Sequence, residues 1–119
     1  MKTSKAKKLA RKYFKWWIHS SGLGYGRTNL YFEEFIKDES GPDVVGLCKS
    51  DWRYQESHIT LALHKLRNMD AEGIEEVVVH ELIHIFLNEM REEGIDHEER
   101  VATNLQKAFM WIRDEVSKK

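Results

Sequence analysis

His80, Glu81 and His84 are the residues of this chain whose types and spacing could support chemistry. They form the pattern His-Glu-x-x-His inside an apolar run, residues 77–87, which only these three polar side chains interrupt. An α-helix turns once in ~3.6 residues, so both histidines project from one face about one turn apart. Two imidazoles placed in this way can bind one Zn²⁺, with Glu81 beside them as a base. The spacing therefore predicts a zinc site on a helix.

A buried helix without a metal is the alternative interpretation of the same pattern. In that case backbone carbonyls or carboxylates would hydrogen bond to both imidazoles. Burying two imidazoles and a carboxylate on one helix costs on the order of several kcal/mol unless each group finds a partner. One metal ion would satisfy all three groups, directly or through its water, so the zinc site is the favoured interpretation.

The third protein ligand of the zinc is sought where the last predicted helix begins, because a catalytic zinc usually takes three protein ligands. The candidates are Asp96, His97, Glu98 and Glu99. Asp96 and Glu99 fit a capping box, which would occupy Glu99 at the helix start. At ~100° per residue, Glu98 lies about 20° from Leu105, in the middle of an apolar stripe. Glu98 is therefore the predicted ligand, His97 is the alternative, and Glu99 is the least favoured.

Three helices are predicted from apolar residues that recur every three or four positions. The first ends near His19, the second begins at Asp70 and carries the motif, and the last runs from about His97 to Val116. The apolar positions of the first helix are Ala6, Leu9, Ala10, Tyr13, Phe14, Trp17 and Ile18. Those of the last are Val101, Leu105, Ala108, Phe109, Ile112 and Val116. The tryptophans are expected in the core, at Trp16, Trp17, Trp52 and Trp111.

Three strands are predicted between the first helix and the motif helix. They cover Asn29–Lys37, Val44–Lys49 and Ile59–Leu63. A turn at Glu39–Asp43 joins the first two strands, and Asn88–Ile95 is expected to be a loop. The order helix, three strands, helix, helix predicts an α+β fold, with the helices on one side of a small sheet.

The size and composition of the chain limit the classes of protein that it can form. With 119 residues it is expected to form one domain, covering residues 1–119. No apolar stretch approaches the ~20 residues that span a bilayer, so no membrane partner is expected. The single cysteine, Cys48, cannot form an internal disulfide, which favours a reducing cytoplasm. Cys48 itself is expected to be a small buried hydrophobic side chain.

The charge is distributed unevenly, although the net charge is only -1. Residues 1–32 contain no acidic side chain, and their basic residues are Lys2, Lys5, Lys7, Lys8, Arg11, Lys12, Lys15 and Arg27. A solvated basic face on an amphipathic helix is the favoured interpretation. The alternative is a patch that binds nucleic acid or an acidic protein surface.

The motif and the elements around it resemble the minimal zincin-type metallopeptidases, which include short gluzincin-like proteins of phages and bacteria. The resemblance covers about residues 44–110, and rests on the His80–His84 motif, the acidic helix start before it and the run Glu98–Ala102 after it. It implies that His80, His84 and Glu98 bind zinc and that Glu81 is the general base. The order of elements is also similar to SprT-like metalloproteases. Those use a third His followed by Gly, where this chain has His97 followed by Glu98.

The resemblance implies a zinc-dependent metallopeptidase that hydrolyses peptide bonds with a zinc-activated water and Glu81 as general base. The alternative is a catalytically inactive zinc-binding or nucleic-acid-associated module on the same fold. In this fold type the strand before the motif helix commonly lines the cleft, so one interpretation is that Ile59–Leu63 binds a peptide or protein substrate by strand addition. The other interpretation is a plain half-buried strand, which its alternation fits equally.

Overall fold

Four helices and three strands form the part of the chain that the computed structural model describes, which is residues 1–21, 27–36, 44–51, 56–87 and 98–117. In chain order the elements are α1 Thr3–Ser20, β1 Arg27–Glu33, β2 Gly46–Asp51, β3 Glu56–Ala62, α2 Leu63–Leu66, α3 Ala71–Phe86 and α4 Glu98–Ser117. The predicted α+β fold is confirmed. Among these helices, none has the length and apolar composition that crossing a bilayer requires.

The sheet has the strand order β1-β3-β2, so β3 is its central strand. β3 runs parallel to β1 and antiparallel to β2. Because both edges of β3 are hydrogen bonded to neighbouring strands, no peptide can pair with it. The prediction that Ile59–Leu63 binds substrate by strand addition is therefore wrong. This strand also ends earlier than predicted, since Leu63 is the first residue of α2.

The first two strands are displaced from their predicted bounds. β1 ends at Glu33 instead of Lys37, and Ile36 beyond it is buried outside the strand. β2 begins at Gly46, two residues after the predicted start at Val44. The predicted turn Glu39–Asp43 and the predicted loop Asn88–Ile95 lie outside the described residues.

The motif helix α3 lies in the core and contacts α1, α4 and the sheet. Five of its apolar side chains are almost fully buried, namely Ile74, Val78, Val79, Leu82 and Ile83, whereas Phe86 at its end is 47% exposed. A helix that is apolar on most sides is buried on most sides. The predicted start at Asp70 is confirmed, because its side chain accepts a hydrogen bond of 2.8 Å from the backbone N–H of Gly73.

The first helix packs on α3 as its apolar spacing predicts. Ala6, Ala10 and Trp17 are buried, and the remaining predicted positions pack against the core at its edge. The start of α1 is held by Arg67, whose carbonyl accepts a hydrogen bond of 2.6 Å from the Met1 amino group. The guanidinium of Arg67 pairs with Glu34 and holds the pKa of that carboxyl below its ordinary value of 4.5.

The C-terminal half of α4 departs from the predicted burial. Ile112 and Val116 are 52% and 63% exposed, whereas Ala102 and Met110 are buried. Two of the tryptophans also depart from the predicted burial. Trp16 and Trp111 are 50% and 64% exposed, whereas Trp17 is buried. Trp52 lies outside the described residues. Helical spacing indicates which side chains share a face, but not whether another element covers that face.

A buried carboxylate joins the three long helices. Glu75 of α3 is only 5% exposed, and its Oε2 accepts a hydrogen bond of 2.8 Å from the Trp17 indole. Its Oε1 accepts from the guanidinium of Arg113 on α4. This hydrogen bond raises the pKa of Arg113. α1, α3 and α4 are therefore connected through one charged group in the core.

Arg113→Met should destabilise the protein by about 3 kcal/mol, because it leaves the Glu75 carboxylate buried without its cation. This loss of stability lies at the lower end of the range for breaking a buried ion pair, since the Arg113 side chain is 24% exposed. Urea unfolding measures the free energy. Adding Glu75→Gln removes the charge and keeps an acceptor for Trp17, so the double variant should regain most of the loss. Equal stability of the single and double variants would show that the charge is not the cause.

Candidate metal centre

The motif residues line a cleft of about 640 Å³ between β2, α3 and α4. His84 and Glu81 are 3% and 5% exposed, and His80 lies nearer the solvent. Cys48 also lines the cleft and is buried, as predicted. The other lining residues are Val44, Val45, Gly46, Leu47, Met69, Gly73, Glu76, Val77, Glu99 and Gln106.

The two imidazoles turn the same nitrogen toward each other. Nε2 of His80 and Nε2 of His84 are 3.3 Å apart, and the rings are inclined at 74°. The Glu99 carboxylate meets both nitrogens, with one oxygen 3.0 Å from His80 Nε2 and the other 2.8 Å from His84 Nε2. Glu81 completes the group, because one ligand atom from each of His80, Glu81 and His84 lies within 4.8 Å of the others.

Two residues of α4 hold the remaining ring nitrogens. Nδ1 of His80 is 3.1 Å from Oε1 of Gln106, and Nδ1 of His84 is 2.8 Å from Oε1 of Glu98. Amide and carboxylate oxygens only accept hydrogen bonds, so each Nδ1 carries the proton that it donates. In a neutral imidazole the other nitrogen, Nε2, then presents a lone pair.

With both imidazoles neutral, the centre of the site is therefore a group of acceptor atoms without a donor among them. It consists of the two Nε2 atoms and the two oxygens of Glu99. Four acceptors at such distances repel one another unless a proton or a metal cation lies among them. This requirement for positive charge follows from the Nδ1 contacts with Glu98 and Gln106.

The spacing of the nitrogens fits zinc. In a tetrahedral site with Zn–N bonds of ~2.0–2.1 Å, two ligand nitrogens lie about 3.3–3.4 Å apart. The Nε2 atoms of His80 and His84 are separated by 3.3 Å. Imidazole and carboxylate are also ligands that zinc commonly takes in proteins. The residues present thus fit the metal that the motif predicts.

The acidic residues at the start of α4 take different places from those that the sequence favours. Glu98, the predicted ligand, is 15% exposed and contacts Nδ1 of His84, the nitrogen that faces away from His80. Glu99, the least favoured candidate, is 77% exposed and contacts both Nε2 atoms. Ligation by Glu98 stays a prediction. The alternative His97 and the proposed cap Asp96 lie outside the described residues.

Gln106 is a site residue that the sequence analysis does not identify. It follows Glu99 by seven positions, and two turns of helix place both on one face. The buried Ala102 and Met110 lie on either side of Gln106 on that face. The sequence therefore contains a pattern that identifies Gln106, namely a helix face on which polar and apolar residues alternate.

Glu81 is positioned by Gly46 at the start of β2. A Cβ atom built on Gly46 would lie 2.9 Å from both Cδ and Cγ of Glu81. Side chains do not approach a Cβ so closely, so a larger residue at position 46 would displace the Glu81 side chain. Gly46 thus sets where the buried carboxylate of Glu81 can lie.

Gly46→Ala should lower the rate of a reaction that depends on Glu81 by roughly tenfold to a hundredfold, because displacement of a reacting group by about 1 Å has effects of this size. Zinc content should remain that of the wild type, since both histidines are untouched. Elemental analysis and steady-state kinetics measure the two effects. Gly73→Ala, on the same cleft but against Asp70 and Met69, is the matched control and should retain activity. A wild-type rate for Gly46→Ala would contradict the positioning role.

Comparisons of this chain with protein-family models, with curated proteins and with solved structures give no match. The resemblance to zincin-type metallopeptidases therefore remains a prediction from the motif.

Proposed function

We propose that this protein is a zinc-dependent metallopeptidase. His80 and His84 bind the metal through Nε2, and Glu99 supplies the third protein ligand in place of Glu98. The observation that carries the proposal is the group of four acceptor atoms, in which the two nitrogens are 3.3 Å apart and both are within 3.0 Å of Glu99. Three protein ligands leave a position for water, as catalytic zinc sites do.

Zinc, when bound, would polarise the attacking water and the carbonyl of the scissile peptide. The Glu81 carboxylate accepts the proton from that water and passes it to the leaving amine. Gly46 keeps this carboxylate beside the histidines. Glu98 and Gln106 fix the orientation of the two rings through Nδ1, which is the role that carboxylates and amides commonly play behind metal-bound histidines.

The edge strand β2 supports a peptide as the substrate. Its one described partner is β3, and among the described residues no strand pairs with its other edge. Residues 44–48 line the cleft beside His80 and Glu81. An extended peptide can pair with an open edge through its backbone and thereby place a carbonyl at the site. β2 thus takes the role expected of Ile59–Leu63.

We also propose that the protein is located in the cytoplasm. A chain with one cysteine cannot form an internal disulfide, so its fold does not depend on an oxidising compartment.

Metal content and proteolysis test the proposal together. Purified wild type should contain one zinc per chain by elemental analysis and should cleave members of a peptide library, with the products identified by mass spectrometry. A chelator should abolish cleavage, and added zinc should restore it. His84→Ala should lose both properties. The control is His58→Ala, because the His58 side chain is 41% exposed and does not line the cleft.

The zinc content distinguishes the two ways in which the proposal can fail. Stoichiometric zinc without cleavage of any peptide would reject the enzyme and favour a non-catalytic zinc-binding module. Absence of zinc at saturating metal would reject the metal centre as well, and would leave a proton as the positive charge between the acceptor atoms.

A further inference from the structure

The lysines of α1 form one stripe along the helix. Lys5, Lys8, Lys12 and Lys15 are exposed, and at ~100° per residue they fall within an arc of about 80°. From Lys5 to Lys15 the stripe is about 15 Å long at ~1.5 Å per residue. Among the described residues no carboxylate forms an ion pair with any of the four. We call these four residues the lysine stripe.

A groove opens at the C-terminal end of the lysine stripe, between α1 and α4. Its volume is about 710 Å³, and Lys12, Lys15, Tyr13 and Trp16 line it from the side of α1. Trp16 is half exposed, although it is a large aromatic side chain. An edge-to-face contact with the buried Trp17, 4.9 Å between ring centroids, fixes its position. The groove thus presents a held aromatic ring beside two lysines.

The unpaired positive charge in the groove comes from the lysines. Arg113 also lines it, but its guanidinium is already bonded to Glu75 and Asp114. Glu75, the carboxylate of the groove, is neutralised by the same contact. Lys12 and Lys15 therefore leave the groove with a net positive charge that faces solvent.

We propose that the lysine stripe and this groove bind single-stranded nucleic acid. The lysines neutralise successive phosphates, and Trp16 stacks on a base at the end of the stripe. A duplex does not offer the face of a base to a side chain, so the exposed ring favours a single strand. An anionic lipid surface fits less well, because an interfacial helix inserts its apolar face, and that of α1 is buried against the core. This binding does not depend on the zinc site.

Salt-dependent binding tests the lysine stripe. The probe is a fluorescein-labelled, mixed-sequence oligodeoxynucleotide of about twelve bases, which is within the usual site size of such surfaces. Fluorescence anisotropy at a series of salt concentrations gives the slope of log K against log salt. Lys12→Gln with Lys15→Gln should weaken binding and reduce the slope by about 1.4, at ~0.7 per phosphate contact on a single strand. The control pair is Lys49→Gln with Lys107→Gln, two exposed lysines outside the groove, which should leave the slope unchanged.

Stacking by Trp16 is tested separately. Trp16→Ala should weaken binding about tenfold, whereas Trp16→Phe should keep most of the affinity because it keeps an aromatic face. A duplex of the same sequence should compete less well than the single strand. His84→Ala should bind the oligonucleotide as the wild type does, so that loss of the metal centre and loss of this surface are told apart. Melting curves establish that each variant is folded.

Three results would overturn the proposal. One is that the Lys12 and Lys15 variant binds with the same slope as the control pair. Another is that the duplex competes equally and Trp16→Ala has no effect. The third is that the protein binds vesicles of anionic phospholipid but not the oligonucleotide.

Discussion

Glu81→Gln should slow peptide hydrolysis by about 10²–10⁴-fold, the usual contribution of a general base, while zinc binding is retained. The amide has nearly the same shape as the carboxylate, so it fits against Gly46 where the Glu81 side chain is buried. It cannot accept a proton from the attacking water. The deficit should therefore appear in kcat, with KM little changed, because the substrate binding that we propose along β2 does not involve this proton.

The matched control for this variant is Glu76→Gln. Glu76 lies on the same helix and lines the same cleft, so the chemical change and the change in net charge are identical. Its activity should stay within a few fold of the wild type. If Glu81→Gln hydrolyses peptides at the wild-type rate, Glu81 is not the base. If it loses its zinc, Glu81 is a metal ligand and not the base.

The helices could be predicted from the sequence because their pattern is local. The apolar spacing of α1 and the almost continuous apolar run of α3 each contain the information that defines the element. Asp70 marks the start of α3 through a hydrogen bond to Gly73, only three residues away. The two histidines are one turn apart on that helix, so their convergence depends on helical geometry alone.

The role of each strand could not be predicted, because strand order is a property of the whole sheet. Alternation indicates that Ile59 and Leu61 point inward, and both are fully buried. It does not indicate whether β3 has one neighbour or two. That depends on β1, in which Leu30 and Phe32 lie 29 residues before their partners Ile59 and Leu61, and on β2 at the other edge. In the described part of the chain β1 and β2 are therefore the edge strands, and β2 is the one that lines the cleft.

The sequence ranks Glu98 above Glu99 because its apolar residues centre the inward face of α4 on Leu105. Taking Leu105 as the centre favours Glu98. The buried Ala102 and Met110 instead centre the face on Gln106, which is about 100° from Leu105. Glu99 lies about 20° from Gln106 on the same wheel. A polar residue such as Gln106 is not counted when a face is defined by apolar residues alone, although here it contacts His80.

Glu99→Ala should weaken zinc binding far more than Glu98→Ala does. Each variant removes one carboxylate from the first turn of α4, so their effects on the net charge near the metal are matched. Loss of Glu98 removes the acceptor of His84 Nδ1, and such outer contacts are worth about 10–100-fold in metal affinity. Loss of Glu99 removes the oxygens that face both Nε2 atoms, and should therefore weaken zinc binding by more than about 100-fold. Competition with a chromophoric chelator measures both affinities.

The direction of the difference between these two variants decides which carboxylate binds the metal. A larger loss in Glu98→Ala would establish Glu98 as the ligand that the sequence favours, and would require its carboxylate to leave His84 Nδ1 when zinc binds. Equal losses within the outer-contact range would mean that neither carboxylate is a ligand. The expected order follows from the tautomer of His84, because a ring that donates from Nδ1 to Glu98 can bind a metal only through Nε2, where Glu99 lies.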